Sequence, residues 1–284
     1  MPTPAAAAPA TLVDAARAAL AASAERTVVL THDGVRYVAK RVAERPRGAA
    51  QALLVRWLAR RVTGQALPMR TLKLSDASTS VGVEVRRLQA LAQAGVRVPR
   101  VVHHDDAFLL MEHCGTTVAS LVEGWPLETC RRELTALAAE LGAFHRGGHW
   151  HGAAQIKNLT RRDGQTFRID FEETFGELVA LPAAQALDVV LFLNSISLAG
   201  PIDDAASATL LPALLRAYFD ANPDPQIRAV FARAQPWARA ASRLASPWRR
   251  LHFGGRRRKG AARIGLLVAA LTEELSRTGW RAVP

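Results

Sequence analysis

The stretch from His149 to Glu173 constrains the chain more than any other. It runs H-W-H-G-A-A-Q-I-K-N-L, then T-R-R-D-G-Q-T-F, then R-I-D-F-E-E. Ile156, Leu159, Phe167, Ile169 and Phe171 are its apolar and β-branched positions, and Asp163-Gly164 is a strong hairpin turn signal. The pattern predicts a loop, a short strand, a turn, a second short strand and an acidic loop. The polar loop enters the hairpin and the acidic loop leaves it on the same side, which brings Asn158 near Asp170. An amide oxygen and a carboxylate converging in this way are hard oxygen ligands, suited to Mg²⁺ carrying a phosphate group.

The remainder of the chain is long enough, at 284 residues, for a sizeable core and two lobes. Hydrophobic residues make up 49%, which excludes a disordered chain. The net charge of +12 comes almost wholly from arginine, because the lysines are Lys40, Lys73, Lys157 and Lys259 alone. Such a charge favours phosphates and anionic lipid headgroups. Nucleic acid is not expected as a partner, since aromatics are sparse and no nucleic-acid motif appears. Cys114 and Cys130 imply no disulfide framework and read as buried small hydrophobes. The apolar N-terminus lacks a basic region of the signal-peptide kind, and no run approaches about 18 apolar residues. The expectation is a cytoplasmic protein able to rest on the inner face of the inner membrane.

In chain order, Thr11 is placed to cap a short helix over Leu12–Ala24. Arg26–Thr31 and Val35–Val42 form a hairpin around His32-Asp33-Gly34, and its second strand ends Y-V-A-K at Lys40. A lysine there is informative in so lysine-poor a chain; the plain alternative is a solvated residue on an edge strand. Ala49–Val62 reads as a helix with Leu54, Trp57, Leu58 and Val62 on one side and Arg56 and Arg60 elsewhere. It either packs on the small lobe or meets anionic lipid. A second helix follows, capped by Thr79 or Ser80, with Val85, Leu88, Leu91 and Ala92 as its apolar stripe and Gly95 at its end. Glu84 lies on its first turns, where the macrodipole favours an acid.

Val101-Val102 and Ala107–Met111 make another hairpin, and Leu127–His145 a strong amphipathic helix. Ala183–Leu198 is nearly all apolar, hence a buried helix, so the Asp188 within it must be paired. Residues 205–246 read as two helices divided by Asn222-Pro223-Asp224-Pro225, and Ala262–Arg277 as a last helix. Trp248–Gly260 is the most basic window: either a solvated loop or a surface for phosphate or lipid headgroups. His149 and His151 flank Trp150 without an evident third metal ligand, and His151 is expected to fix its loop by hydrogen bonds.

The H-G-x-x-x-x-x-N run, followed twelve residues later by I-D-F, resembles the catalytic loop and metal loop of the protein-kinase-like superfamily. The H-G form and the D-F-E ending are similar to the bacterial lipopolysaccharide core kinases (the Kdo/WaaP branch) and, more distantly, to aminoglycoside and choline phosphotransferases. The resemblance implies an α+β, two-lobed fold: a tail and short helix over 1–26, a small antiparallel-sheet lobe over 27–112 and a helical lobe over 113–284. It implies ATP as phosphoryl donor, with Lys40 on the phosphates, Glu84 holding Lys40, and Asn158 and Asp170 on Mg²⁺. Glu112-His113-Cys114-Gly115 would be the hinge, with backbone groups of Glu112 and Cys114 meeting adenine. Asp188 would brace the catalytic loop. The implied acceptor is a hydroxyl of a core sugar or a similar small molecule, lipid-linked at an anionic membrane surface.

Two departures stand out. Ala153 occupies the place of the family's catalytic Asp, and the chain's first glycine is Gly34, so no glycine-rich phosphate loop precedes Lys40. Transfer would then depend on Gln155, Glu172 or Glu173 reaching the acceptor hydroxyl. Gln155 cannot take a proton at neutral pH, and Glu172 is equally placed to ligate the metal. The alternative is a pseudokinase that binds a nucleotide or partner without transfer.

Overall fold

The computed structural model describes residues 8–42, 60, 77–197, 199, 201–245 and 255–277. Its small lobe is an antiparallel sheet in the order β1-β2-β4-β3, from β1 (Thr27–His32), β2 (Val35–Arg41), β3 (Val101–His104) and β4 (Phe108–Glu112). The β1–β2 turn places Asp33 at φ 49° and Gly34 at φ 76°, the paired left-handed conformation that an Asp-Gly hairpin supplies. One face of the sheet packs Ala39, Phe108 and Leu110 against Leu12, Ala16 and Leu20 of helix α1 (Ala10–Ala21). The other face sets Leu109 and Met111 in the main core with Val81, Val85, Leu88 and Leu91 of helix α2 (Ala77–Gln93). Each such side chain, fully buried, contributes about 1.5–3 kcal/mol.

Three local expectations change. Pro9, not Thr11, stands at the N-cap of α1, and Thr11 lies inside the helix. Helix α2 already runs from Ala77, so Thr79 and Ser80 are helical rather than capping. Lys40 sits on β2, an interior strand between β1 and β4, with 7% of its side chain exposed, which overturns the reading as a solvated edge lysine. Of the helix expected over 49–62, Arg60 is helical and the rest, Trp57 included, lies outside the described residues.

The chain leaves β4 through His113–Gly115 into a second, small sheet of order β5-β6-β7: β5 (Thr116–Thr117), β6 (Leu159–Arg162) and β7 (Gln165–Arg168). Asp163 and Gly164 form its hairpin turn at φ 51° and 73°. Around it lie α3 (Val118–Gly124), α4 (Leu127–Arg146), α5 (Leu181–Ser197), α6 (Asp204–Ala221), α7 (Pro225–Ala245) and α8 (Gly255–Arg277). Helix α4 packs along α6, and α8 packs on α6 and α7. The loop enters this hairpin through a 3₁₀ turn over Ile156–Asn158, closed by the Asn158 N–H donating to the Gln155 carbonyl at 2.9 Å. The basic window is helical from Gly255, so its last six residues are not loop; their side chains and Trp248 lie outside the described residues. No described helix is long and apolar enough to cross a membrane. The whole is a two-lobed α+β fold, an antiparallel sheet with its helices joined to a mostly helical lobe.

Candidate active site

Strand β2, helix α2 and the loop after β7 deliver their polar side chains to one point. The Lys40 ammonium donates to Glu84 Oε2 at 2.8 Å and Oε1 at 3.1 Å, to Asp170 Oδ1 at 2.6 Å, and lies 3.3 Å from Glu172 Oε2. Burial favours loss of the Lys40 proton, but Glu84, Asp170 and Glu172 outweigh it and hold the ammonium above its usual range. Glu84 is almost wholly buried. Its burial pushes the carboxyl up, against the pull of Lys40. Asp170 takes φ 70°, a left-handed backbone rare outside glycine and concentrated at functional sites. That turn aims its carboxylate back at Lys40.

Carboxylate oxygens of Glu84, Asp170 and Glu172 lie within 4.8 Å of one another. Hard oxygen donors this close suit a small divalent cation, so the residues present fit Mg²⁺. Asn158 stands across the hairpin from Ile169, whose N–H donates to the Asn158 carbonyl at 3.0 Å, one residue before Asp170. Its side-chain amide donates to the Ala153 carbonyl at 2.8 Å, which fixes the side chain and leaves the amide oxygen as its remaining donor atom for a metal.

The loop carrying Ala153 is held from beneath. Asp188 accepts the N–H groups of His151 at 2.5 Å and Gly152 at 2.8 Å. Burial opposes its charge, yet His145, His151 and the backbone amides hold it below the ordinary carboxylate range. His151 is fully buried, stacked on Phe171 at 4.3 Å, and burial lowers it to about 4, so it is neutral. Its Nδ1 accepts the Ala153 N–H at 3.3 Å, the loop-fixing role expected of it. Gly152 has φ 94°, and a Cβ there would stand 2.7 Å from the Glu173 Cβ, so the two loops touch backbone to side chain.

The other named positions are spread around this centre. Glu112 accepts from Arg162 at 2.6 Å at the end of β4, and Cys114 is buried, its thiol pushed up to about 11 by that burial. The Gln155 N–H donates to the Ala153 carbonyl at 2.7 Å, inside the loop. Two residues that the sequence did not single out complete the site. Arg26 holds Glu172 with its two terminal guanidinium nitrogens, at 3.3 and 2.7 Å. Arg87, one turn beyond Glu84 on α2, donates to the carbonyls of Trp150, His151, Phe171 and Glu173 at 2.7 to 3.3 Å, and its guanidinium lies 3.7 Å from the Trp150 ring centroid. The i, i+3 spacing from Glu84 was the available signal for Arg87; for Arg26 it was only the position at the head of a strand.

Two lobes thus meet at a buried lysine, a helix glutamate and a loop aspartate. No family model matches the chain. Over 91 residues it is 30% identical to the KEOPS complex subunit Bud32 of Pyrococcus abyssi (strain GE5 / Orsay), a match covering 31% of this chain and 41% of that one. Among solved structures it is similar to the MAP kinase LmaMPK10 from Leishmania major, with a TM-score of 0.38, 14% identity and coverage of 91% of this chain and 80% of the other.

Proposed function

We propose that the cleft binds ATP with Mg²⁺ and that the protein transfers the terminal phosphoryl group to a hydroxyl. The observation that carries this is Lys40, buried and shared between Glu84 and Asp170 at 2.8 and 2.6 Å. A buried cation held between two elements is costly to build and is retained where its charge is used. In this reading Lys40 binds phosphate oxygens, Glu84 keeps it aimed, and Asp170 with Asn158 holds Mg²⁺, Glu172 being within reach of the same ion. Bound Mg²⁺ neutralises charge on the phosphates. Backbone groups at Glu112 and Cys114 receive the adenine. Asp188, His151 and Arg87 keep the two loops in register.

The acceptor oxygen attacks phosphorus, the bond to the bridging oxygen of ADP breaks, and the acceptor's proton passes late to solvent water or to an oxygen of the transferred phosphoryl group. Such a loose transition state is stabilised mainly by positioning and charge. Loss of the loop carboxylate at Ala153 therefore slows the reaction, by about 10²–10⁴-fold, rather than forbidding it. The finer reading of the acceptor, a lipopolysaccharide core sugar met at an anionic membrane face, rests on the H-G and D-F-E likeness and the net charge of +12. Ala153 itself favours a second reading, a pseudokinase that binds the nucleotide without transfer.

Thermal unfolding with ATP tests the binding common to both. ATP with Mg²⁺ should raise the melting temperature by linkage. Asp170→Ala should remove the Mg²⁺-dependent part while the unliganded protein still folds. An equal shift in that variant removes Asp170 from the metal site, and no shift in the parent protein ends the nucleotide reading.

A further inference from the structure

Among the described residues, Lys40 and Arg26 both face the three carboxylates of the cleft, and Lys40 has been given a task. Pairing of Thr27 with Lys40 sets the head of β1 beside the lysine, and the Arg26 carbonyl accepts the Arg41 N–H at 2.7 Å. The segment entering β1 is pinned as well: Arg41 donates to the carbonyls of Leu20 and Ser23 at 2.5 and 3.0 Å. This segment, A-S-A-E-R over residues 22–26, therefore lies at the lysine end of the cleft. It contains no glycine, so it has none of the bare backbone with which glycine-rich loops approach phosphate. It brings a guanidinium instead.

The charges indicate what that guanidinium is for. Glu172 is engaged by Arg26 at 2.7 Å and lies 3.3 Å from Lys40, yet its carboxylate belongs to the trio that fits a divalent cation. Once Glu172 serves a metal, Arg26 needs another anion, because only 19% of its side chain is exposed and a buried unpaired charge is costly. A planar guanidinium matches two oxygens of a phosphate as well as it matches a carboxylate.

We propose that Arg26 is a phosphate-binding residue that takes the place of a glycine-rich loop, exchanging Glu172 for the phosphates of a bound nucleoside triphosphate. This rests on the nucleotide-binding reading above. Calorimetric titration of the full chain with ATP plus Mg²⁺ and, separately, with adenosine tests it. In Arg26→Ala the affinity for ATP with Mg²⁺ should fall about 10- to 100-fold, the range for a charged hydrogen bond, while adenosine binds as in the parent. If the alanine variant does not fold, Arg26→Lys carries the same test, with ATP weakened several-fold for want of the fork and adenosine unchanged. Unaltered or tighter ATP binding would make Arg26 a latch on Glu172 and overturn the proposal. So would an equal loss for adenosine, which would place its effect on the shape of the pocket. If the parent protein binds neither ligand, the nucleotide reading itself falls, an outcome distinct from a parent that binds and a variant that binds equally well.

Discussion

Ala153 presents a methyl group five residues ahead of Asn158, and its carbonyl is tied to the Asn158 amide. Because the loop is fixed at both ends, by Asp188 below and by Asn158 above, a carboxylate at 153 would enter a backbone already in place. Ala153→Asp is expected to raise the rate of phosphate release from ATP about 10²-fold, the lower end of general-base catalysis. Single-turnover kinetics with ATP and Mg²⁺ measures this without knowledge of the acceptor, and an unchanged rate would favour the pseudokinase. Lys40 and Glu84 were placed by the resemblance, Glu84 standing well inside α2, which begins at Ala77. Asn158, Asp170 and Asp188 were legible in the sequence because local pattern sets where each one lies: a hairpin's open end, a buried helix. Arg26 was not. Its partner Glu172 is 146 residues away, and in an arginine-rich chain no local pattern marks one guanidinium for a distant carboxylate.

Helix α2 is the element on which the site turns, since it offers Glu84 to the small lobe's lysine and Arg87 to the large lobe's loops. Burial lowers Arg87 to about 10, so it stays charged at neutral pH, and it satisfies carbonyls on both loops at once. Arg87→Ala removes all of those hydrogen bonds and the stacking on Trp150. The expected loss is about 3 kcal/mol of stability, with a smaller ATP-induced rise in melting temperature because Asp170 is no longer held in register. Arg87→Lys should recover little, having no fork to span four carbonyls. Denaturant unfolding measures both, and a variant as stable as the parent would show that the loops hold themselves. Elements with clear periodicity, such as α4 and the two Asp-Gly hairpins, were readable from sequence. β5 and α3 were not: β5 is two residues that become a strand only by pairing with Thr160 and Arg161, and α3 is too short to show a period.

Across the whole molecule, the lobes are joined by Lys40–Asp170, by Arg26–Glu172 and by Arg87 on the loops, so opening the cleft loosens the loop over the buried His151. That histidine makes global stability depend on pH. Folded, it titrates at about 4; unfolded, a histidine titrates near 6.5, so the unfolded chain takes the proton first as pH falls. Its contribution is therefore full above about 6.5, declines as pH falls toward 4 and levels off below, a loss on the order of 3 kcal/mol. His145, also lowered chiefly by burial, acts in the same direction. Asp188, held below the carboxylate range, adds a later loss, as pH falls below the unfolded value near 3.9 and through its own lower one. Glu84 runs the other way, because its raised carboxyl takes up a proton in the folded protein first. The histidine part can be isolated with His151→Asn, which removes the titrating group from the same loop. Urea unfolding from pH 7.5 down to 4.5, with the denaturant slope checked for constancy, should give the parent a steeper decline in stability than the variant. Parallel declines in the two proteins would mean that His151 takes up its proton in the folded protein at the same pH as in the unfolded chain, so that burial does not keep it neutral as pH falls. The packing of its neutral ring against Phe171 would then not be what holds the loop.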